Sequence, residues 1–197
     1  MMLVPQRLRR TSLLALVLAA LAGGACATTE PQVNLTFVLA DTGRVFALSG
    51  TDPIFPTAIN IPSRVVVIAT VLSDGTVPFD VAFDLTPAGK VLVLPARSVV
   101  LGPNVVPPSI GLFLPGGTFD AATEAPSVGF VLDSVKTVSP GEPFVLQLRP
   151  LECSFSILQT MHAKMVVDSV NLTSRLLYYR LVLNPNCGRR GLVPGGF

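Results

Sequence analysis

Cysteine and histidine are the side chains best suited to nucleophilic or metal chemistry, and this 197-residue sequence has three cysteines and one histidine. Cys153 and Cys187 form the first candidate pair. In an oxidising compartment two such cysteines join as a disulfide. A redox or metal pair would call for a second cysteine at close spacing, and neither residue sits in a C-x-x-C. A structural disulfide is therefore expected. His162 lies in Thr160-Met161-His162-Ala163-Lys164-Met165-Val166. That alternation sends Met161, Ala163 and Met165 inward and leaves Thr160, His162 and Lys164 on a solvated strand face. One histidine does not make a two-histidine metal site, and without a G-x-S-x-G nothing places a Ser-His-Asp triad. The expectation is no metal and no cofactor.

The carboxylates are scattered. Asp80 and Asp84 share one face of a strand at residues 77–85 and read as solvent-facing acids, since glycosidase chemistry needs a carboxyl pair in a cleft. Asp133 and Asp168 stand in two similar segments, Val131-Leu132-Asp133-Ser134-Val135 and Val166-Val167-Asp168-Ser169-Val170. Each is followed by an apolar strand with an Arg, then a Pro, then a Cys, at Asp-to-Cys separations of 20 and 19 residues. Two repeated hairpins would bring Asp133 and Asp168 to equivalent ends. The plainer alternative is a pair of turns in which Asp-Ser bonds local backbone. Arg175, Arg180, Arg189 and Arg190 gather positive charge late in the chain. They could receive an anionic glycan or a lipid headgroup, or form a solvated rim.

The elements that must position these residues read as strands. Residues 33–40 alternate, Asp41-Thr42-Gly43 reads as a turn, and residues 44–48 as the returning strand. Residues 52–62 hold three prolines and read as a loop. Residues 65–72 are apolar on both faces and suggest a central strand. With 77–85 and 91–94, joined by Asp74-Gly75 and Pro87-Ala88-Gly89, they predict an antiparallel meander. Short strands are expected at 98–101 and 110–114, and a loop or single helical turn at 119–126. The fold class expected is all-β: an antiparallel two-sheet β-sandwich, immunoglobulin-like or related, with a small β-barrel as the alternative.

The first residues carry Arg7, Arg9 and Arg10, then an apolar run at 13–22, then Gly23-Gly24-Ala25-Cys26. Positive, apolar and small, in that order, is the pattern of a secretory signal peptide. The apolar run is shorter than the roughly 20 residues that span a bilayer. Small residues leading into a cysteine resemble the lipobox of bacterial envelope lipoproteins, although Gly23 stands where the lipobox usually has Leu. The resemblance implies lipidation of Cys26 and attachment to a membrane of the cell envelope. Ala25-Cys26-Ala27 also fits ordinary signal cleavage, which would give a soluble periplasmic or secreted product. The organisation expected is a signal peptide at 1–26, a tether at 27–32 and one domain at 33–197.

Removing Arg7, Arg9 and Arg10 leaves 11 basic against 12 acidic residues, a net charge of −1. Nucleic acid is not an expected partner. The function expected is a non-enzymatic binding or structural role, with another envelope protein or a glycan as partner. An outer-membrane β-barrel and a secreted hydrolase are the alternatives. The terminal Phe197 suits the barrel, whereas frequent prolines and short apolar runs do not.

Overall fold

The computed structural model describes residues 35–196 apart from 103, 104, 155, 156 and 158. Cys26, the leader and the tether at 27–32 lie outside the described residues. Eleven strands are described: β1 Leu39–Phe46, β2 Ala58–Asn60, β3 Val65–Val67, β4 Val81–Leu85, β5 Val91–Pro95, β6 Gly111–Phe113, β7 Val131–Leu132, β8 Lys136–Val138, β9 Pro143–Leu148, β10 Met161–Asn171 and β11 Leu176–Asn184. They form a six-stranded sheet, β1-β11-β10-β9-β6-β7, and a five-stranded sheet, β3-β2-β4-β5-β8. Every pairing is antiparallel. Both sheets end in open edges, so the strands make a β-sandwich and do not close into a barrel.

Period-two patterning builds the interior. Val81, Phe83 and Leu85 of β4 and Val91 and Val93 of β5 face Phe144, Leu146 and Leu148 of β9. Met161, Ala163, Met165 and Val167 of β10 and Leu177, Tyr179, Leu181 and Leu183 of β11 complete the same cluster. Cys153, fully buried, bonds Cys187 with a Cα–Cα separation of 5.6 Å. It thereby ties the chain after β9 to the chain after β11.

Among the described strands, the chain passes between the sheets four times, after β1, β5, β7 and β8. Leaving β1, Leu48 N–H donates to the Phe83 carbonyl (2.7 Å), which brings the chain onto β4. Leaving β7, Asp133 adopts a left-handed conformation (φ 50°). Its carboxylate accepts from Ile110 N–H and Ser109 Oγ–H, both at 2.9 Å, and this turn delivers the chain to β8.

Several expectations needed correction. β1 runs straight through Asp41-Thr42-Gly43, because β11 is long enough to pair with all eight β1 residues. Gly43 is a close-approach glycine and not a turn: the Tyr179 ring occupies the space a Cβ would need. Residues 65–72 supply only the short β3, and it lies at the sheet edge. β2, drawn from the proline-rich stretch, takes the place beside β4 instead. The Asp74-Gly75 turn forms, with Asp74 Oδ1 accepting from Thr76 N–H at 2.9 Å, but no strand flanks it. Where a strand was expected at 98–101, Ala96–Val99 forms one helical turn. Val100 N–H returns to the Ala96 carbonyl at 2.9 Å, and Ser98 Oγ–H donates to the Pro95 carbonyl at 2.7 Å.

The similar segments around Asp133 and Asp168 are not structural repeats. The first is a two-residue edge strand and a turn, and the second is the middle of the eleven-residue β10.

The disulfide closes a span of 34 residues. Chain entropy assigns such a loop about 3–4 kcal/mol of stabilisation. Reduction of the folded protein is expected to lower its melting temperature accordingly, as read by thermal denaturation with and without reductant. Unchanged melting would show that the bond adds nothing.

Candidate functional site

The outer face of the six-stranded sheet is half sealed. A strap at residues 114–126 and a tail at 187–196 lie over β9 and β10 and are laced together. Ala125 N–H donates to the Arg190 carbonyl and Leu192 N–H to the Thr123 carbonyl, each at 2.8 Å. Glu124 pairs with Gly191 as an isolated bridge and with Arg190 as an ion pair. Underneath, Ala125 and Leu192 pack on Val145, and Phe119 packs on Val38, Val166 and Val182.

This cover buries the two residues that alternation assigned to solvent. His162 and Lys164 are only 3% and 2% exposed. A strand's polar face meets water only if nothing lies across it, and strand periodicity carries no information about a distant strap. His162 Nδ1–H donates to the Arg189 carbonyl at 2.9 Å, which leaves Nε2 to accept from Gln147 Nε2 at 3.4 Å. Burial pushes its pKa below the usual histidine range, against the Arg189 carbonyl and with the Arg190 charge. The ring is therefore a neutral structural group. Lys164 Nζ donates to the Phe119 and Ala122 carbonyls, both at 2.9 Å, and lies 4.6 Å from the Phe119 ring centroid. Burial lowers its pKa as well, with Asp120 opposing the shift.

The two acids on β4 and the segment before it are also not solvent-facing. Asp80 is 7% exposed, and its carboxylate accepts from Ile61 N–H at 2.7 Å. Burial raises its pKa to about 6, the Ile61 bond works against that, and Glu152 adds to it. Asp84 holds Arg175 Nη2 at 2.7 Å and Ser49 Oγ–H at 2.6 Å. Arg175 also donates through Nε to the Ser49 carbonyl at 2.8 Å. It therefore bolts the β10–β11 turn to the five-stranded sheet.

The four candidate arginines do not converge. Arg175 is held by Asp84, Arg190 by Glu124 and Arg180 by Asp168. Arg189 is exposed in the tail, where its N–H donates to the Asn186 carbonyl at 3.1 Å and its carbonyl accepts from His162. Asp133 and Asp168 have separate partner sets: Asp133 holds Ser109, Ile110 and Arg97, the last at 3.6 Å, whereas Asp168 holds Arg180.

Arg180 nevertheless marks the most functional-looking surface, on the half of the outer face that the strap leaves open. Thr42 of β1 stands directly opposite Arg180, and Arg44 directly opposite Tyr178. The register slips between Val167 and Ser169 of β10, a bulge that turns Asp168 toward Arg180. The guanidinium meets it through Nε (2.9 Å) and Nη2 (2.8 Å). Arg180 also lies 4.6 Å over the Phe119 ring, on which Lys164 sits too. Thr42, Arg44, Asp168, Tyr178 and Arg180 line a depression of about 430 Å³. A second, of about 400 Å³, continues past Arg180 to Asp41, Asp120 and Pro194. Sequence reading found Arg180 and Asp168 but missed Thr42, Arg44 and Tyr178, because it folded β1 into a hairpin. Among the described residues no group of three His, Cys, Asp or Glu is placed to hold a metal ion.

Asp80 and His162 give opposite pH dependences. The folded Asp80 value of about 6 lies above its ordinary 3.8, so folding takes up a proton and stability is lost as pH rises through that window. Between pH 4.5 and 7 this amounts to about 2 kcal/mol. The folded His162 value lies below its ordinary 6.5, so stability is lost as pH falls below 6.5. Urea unfolding of Asp80→Asn at pH 4.5 and 7 is expected to show less gain on acidification than the wild type, and His162→Gln more. Equal pH profiles in all three proteins would contradict both assignments.

Lys164→Met leaves the Phe119 and Ala122 carbonyls without their donor. It is expected to cost about 1–3 kcal/mol and to open residues 114–126 to proteolysis. Full stability with an uncut strap would refute the role given to Lys164.

No family model, curated protein or solved structure matches this chain.

Proposed function

We propose that this chain is an exported protein of a bacterial cell envelope, anchored to a membrane by a lipid on Cys26, and that its β-sandwich is a non-enzymatic binding module. The Cys153–Cys187 disulfide carries the export half of this reading. Such bonds form and persist in oxidising compartments, where a signal peptide would deliver the chain. The tether at 27–32 is six residues long and reaches about 20 Å when extended, which keeps the domain close to its membrane. Asn186 secures the start of the domain, accepting from Thr36 N–H (2.8 Å) and donating to the Thr36 carbonyl (2.6 Å).

Binding is favoured over hydrolysis by how the polar side chains are used. His162, Lys164 and Asp80 spend their hydrogen bonds on backbone groups beneath cover. Water and substrate have no direct approach to them. The polar side chains left accessible lie on a broad sheet face, which suits recognition of another envelope protein or a glycan. A net charge of −1 after the leader gives no attraction to nucleic acid.

Metabolic labelling with a fatty acid tests the anchor. The wild type is expected to be tagged and membrane-bound. Cys26→Ser is expected to be untagged, with its Cys153–Cys187 bond intact. Two untagged proteins, with the mature product beginning at Thr28, would show plain secretion instead.

A further inference from the structure

The open half of the outer face holds polar side chains that the fold does not consume. Arg44 is exposed, and its guanidinium has no ion pair or hydrogen bond among the described residues. The Thr42 hydroxyl and the Tyr178 hydroxyl likewise make no hydrogen bond among the described residues, and Tyr178 is 45% exposed. Arg180 uses Nε and Nη2 on Asp168, and its Nη1 makes no hydrogen bond among the described residues. Directly opposed cross-strand residues have Cβ atoms about 5 Å apart. The pairs Thr42–Arg180 and Arg44–Tyr178 therefore form one compact block, two residues apart along the strands.

The chemistry of that block is one-sided. It offers two guanidinium groups, two hydroxyls and an aromatic ring, while its one carboxylate, Asp168, is already doubly bonded. A ligand that matches it must be rich in acceptors, carry a negative charge that a guanidinium can grip, and present an apolar patch to the tyrosine. A pyranose ring bearing a carboxylate has all three properties: ring C–H groups on one face, hydroxyls around the rim, and an anion at the edge. The depression is about 430 Å³ and open, and it runs on into the second along the strand direction, as a binding site for a chain of sugars would. In that second depression the Asp120 carboxylate would repel another carboxylate, whereas the Asp41 carboxylate is paired with Arg64 at 3.6 Å. The neighbouring sugar must then be neutral.

We propose that Thr42, Arg44, Tyr178 and Arg180 form a binding site for an acidic glycan, with a uronate ring on Tyr178, its carboxylate on Arg44 and Arg180, and a neutral sugar beside it. This deepens the binding-module reading and rests on it. Arg44 and Tyr178 are the primary determinants. Asp168 is a positioning residue that holds the Arg180 guanidinium in place.

The sequence has two tyrosines and no tryptophan; Tyr178 stands at the depression and the Tyr179 ring points into the interior, so a ligand-induced change in intrinsic fluorescence reports on Tyr178. The test titrates the purified full-length mature protein with a hyaluronan tetrasaccharide, in which uronate and neutral rings alternate. Chitotetraose serves as the neutral control and inorganic phosphate as the simple anion, with calorimetry in parallel. A saturable fluorescence change is expected with the hyaluronan tetrasaccharide alone. Arg44→Ala is expected to weaken binding at least tenfold and Tyr178→Ala to abolish the calorimetric signal, both at unchanged melting temperature, since both side chains are exposed. No response, an equal response to chitotetraose, or an equal response to phosphate would each overturn the glycan assignment. If the same sample carries its lipid and its disulfide, such a failure leaves the exported-module reading standing. Release of new reducing ends from the tetrasaccharide would overturn the module reading itself.

Discussion

A buried ammonium ion is tolerated only when its donors are met, and the outer layer of this protein is arranged around that requirement. Lys164 points away from the sandwich interior, where an ordinary surface strand would give it water. Here two carbonyls of the strap and the face of Phe119 take the place of water. The strap must lie at one height over β10 for these contacts to form together, and the tail then locks it there through the Ala125–Arg190 and Thr123–Leu192 bonds. The result is a third layer on part of a two-layer fold. It explains why Met161–Val167, seven consecutive residues of β10, are all buried whichever way they point.

That third layer also divides the outer face into a covered part and an open part. Over β9 and β10 it withdraws His162 and Lys164 from solvent and uses their polarity as internal fastening. It covers Val182 of β11 but goes no further, and Thr42, Arg44, Tyr178 and Arg180 remain available. Phe119 marks the border: one cation on its ring is buried, and the other, Arg180, belongs to the open side. The proposed site is thus carried by hydrogen-bonded strands of fixed spacing rather than by loops, and a ligand there would need little ordering of the chain.

What sequence reading could see was what local periodicity encodes. Short apolar strands punctuated by Pro and Gly turns identified the two-sheet class, the alternation at 160–166 identified Met161, Ala163 and Met165 as inward-facing, and the two unassigned cysteines identified the disulfide. Long-range coverage is not written in local alternation. His162, Lys164 and Asp80 all read as surface residues because their strands alternate correctly, and only the strap and the helical turn at Ala96–Val99 make that face an interior one. The β1 error has a different physical origin. Asp-Thr-Gly is good turn chemistry, but eight residues of pairing with β11 outweigh it, and the glycine is needed for the Tyr179 ring. That error hid the site as well. Arg44 and Tyr178 become neighbours only when β1 is continuous.

Amide hydrogen exchange tests the sealed outer layer most directly. If Lys164 fastens the strap and the tail completes it, the Ala125 and Leu192 amides, which lie outside the main strands, should exchange as slowly as amides within β10. Exchange of both within seconds, at the rate of exposed loops, would show that the strap and tail lie loosely over the sheet. The division of the outer face into a fastened half and an open half would then be wrong.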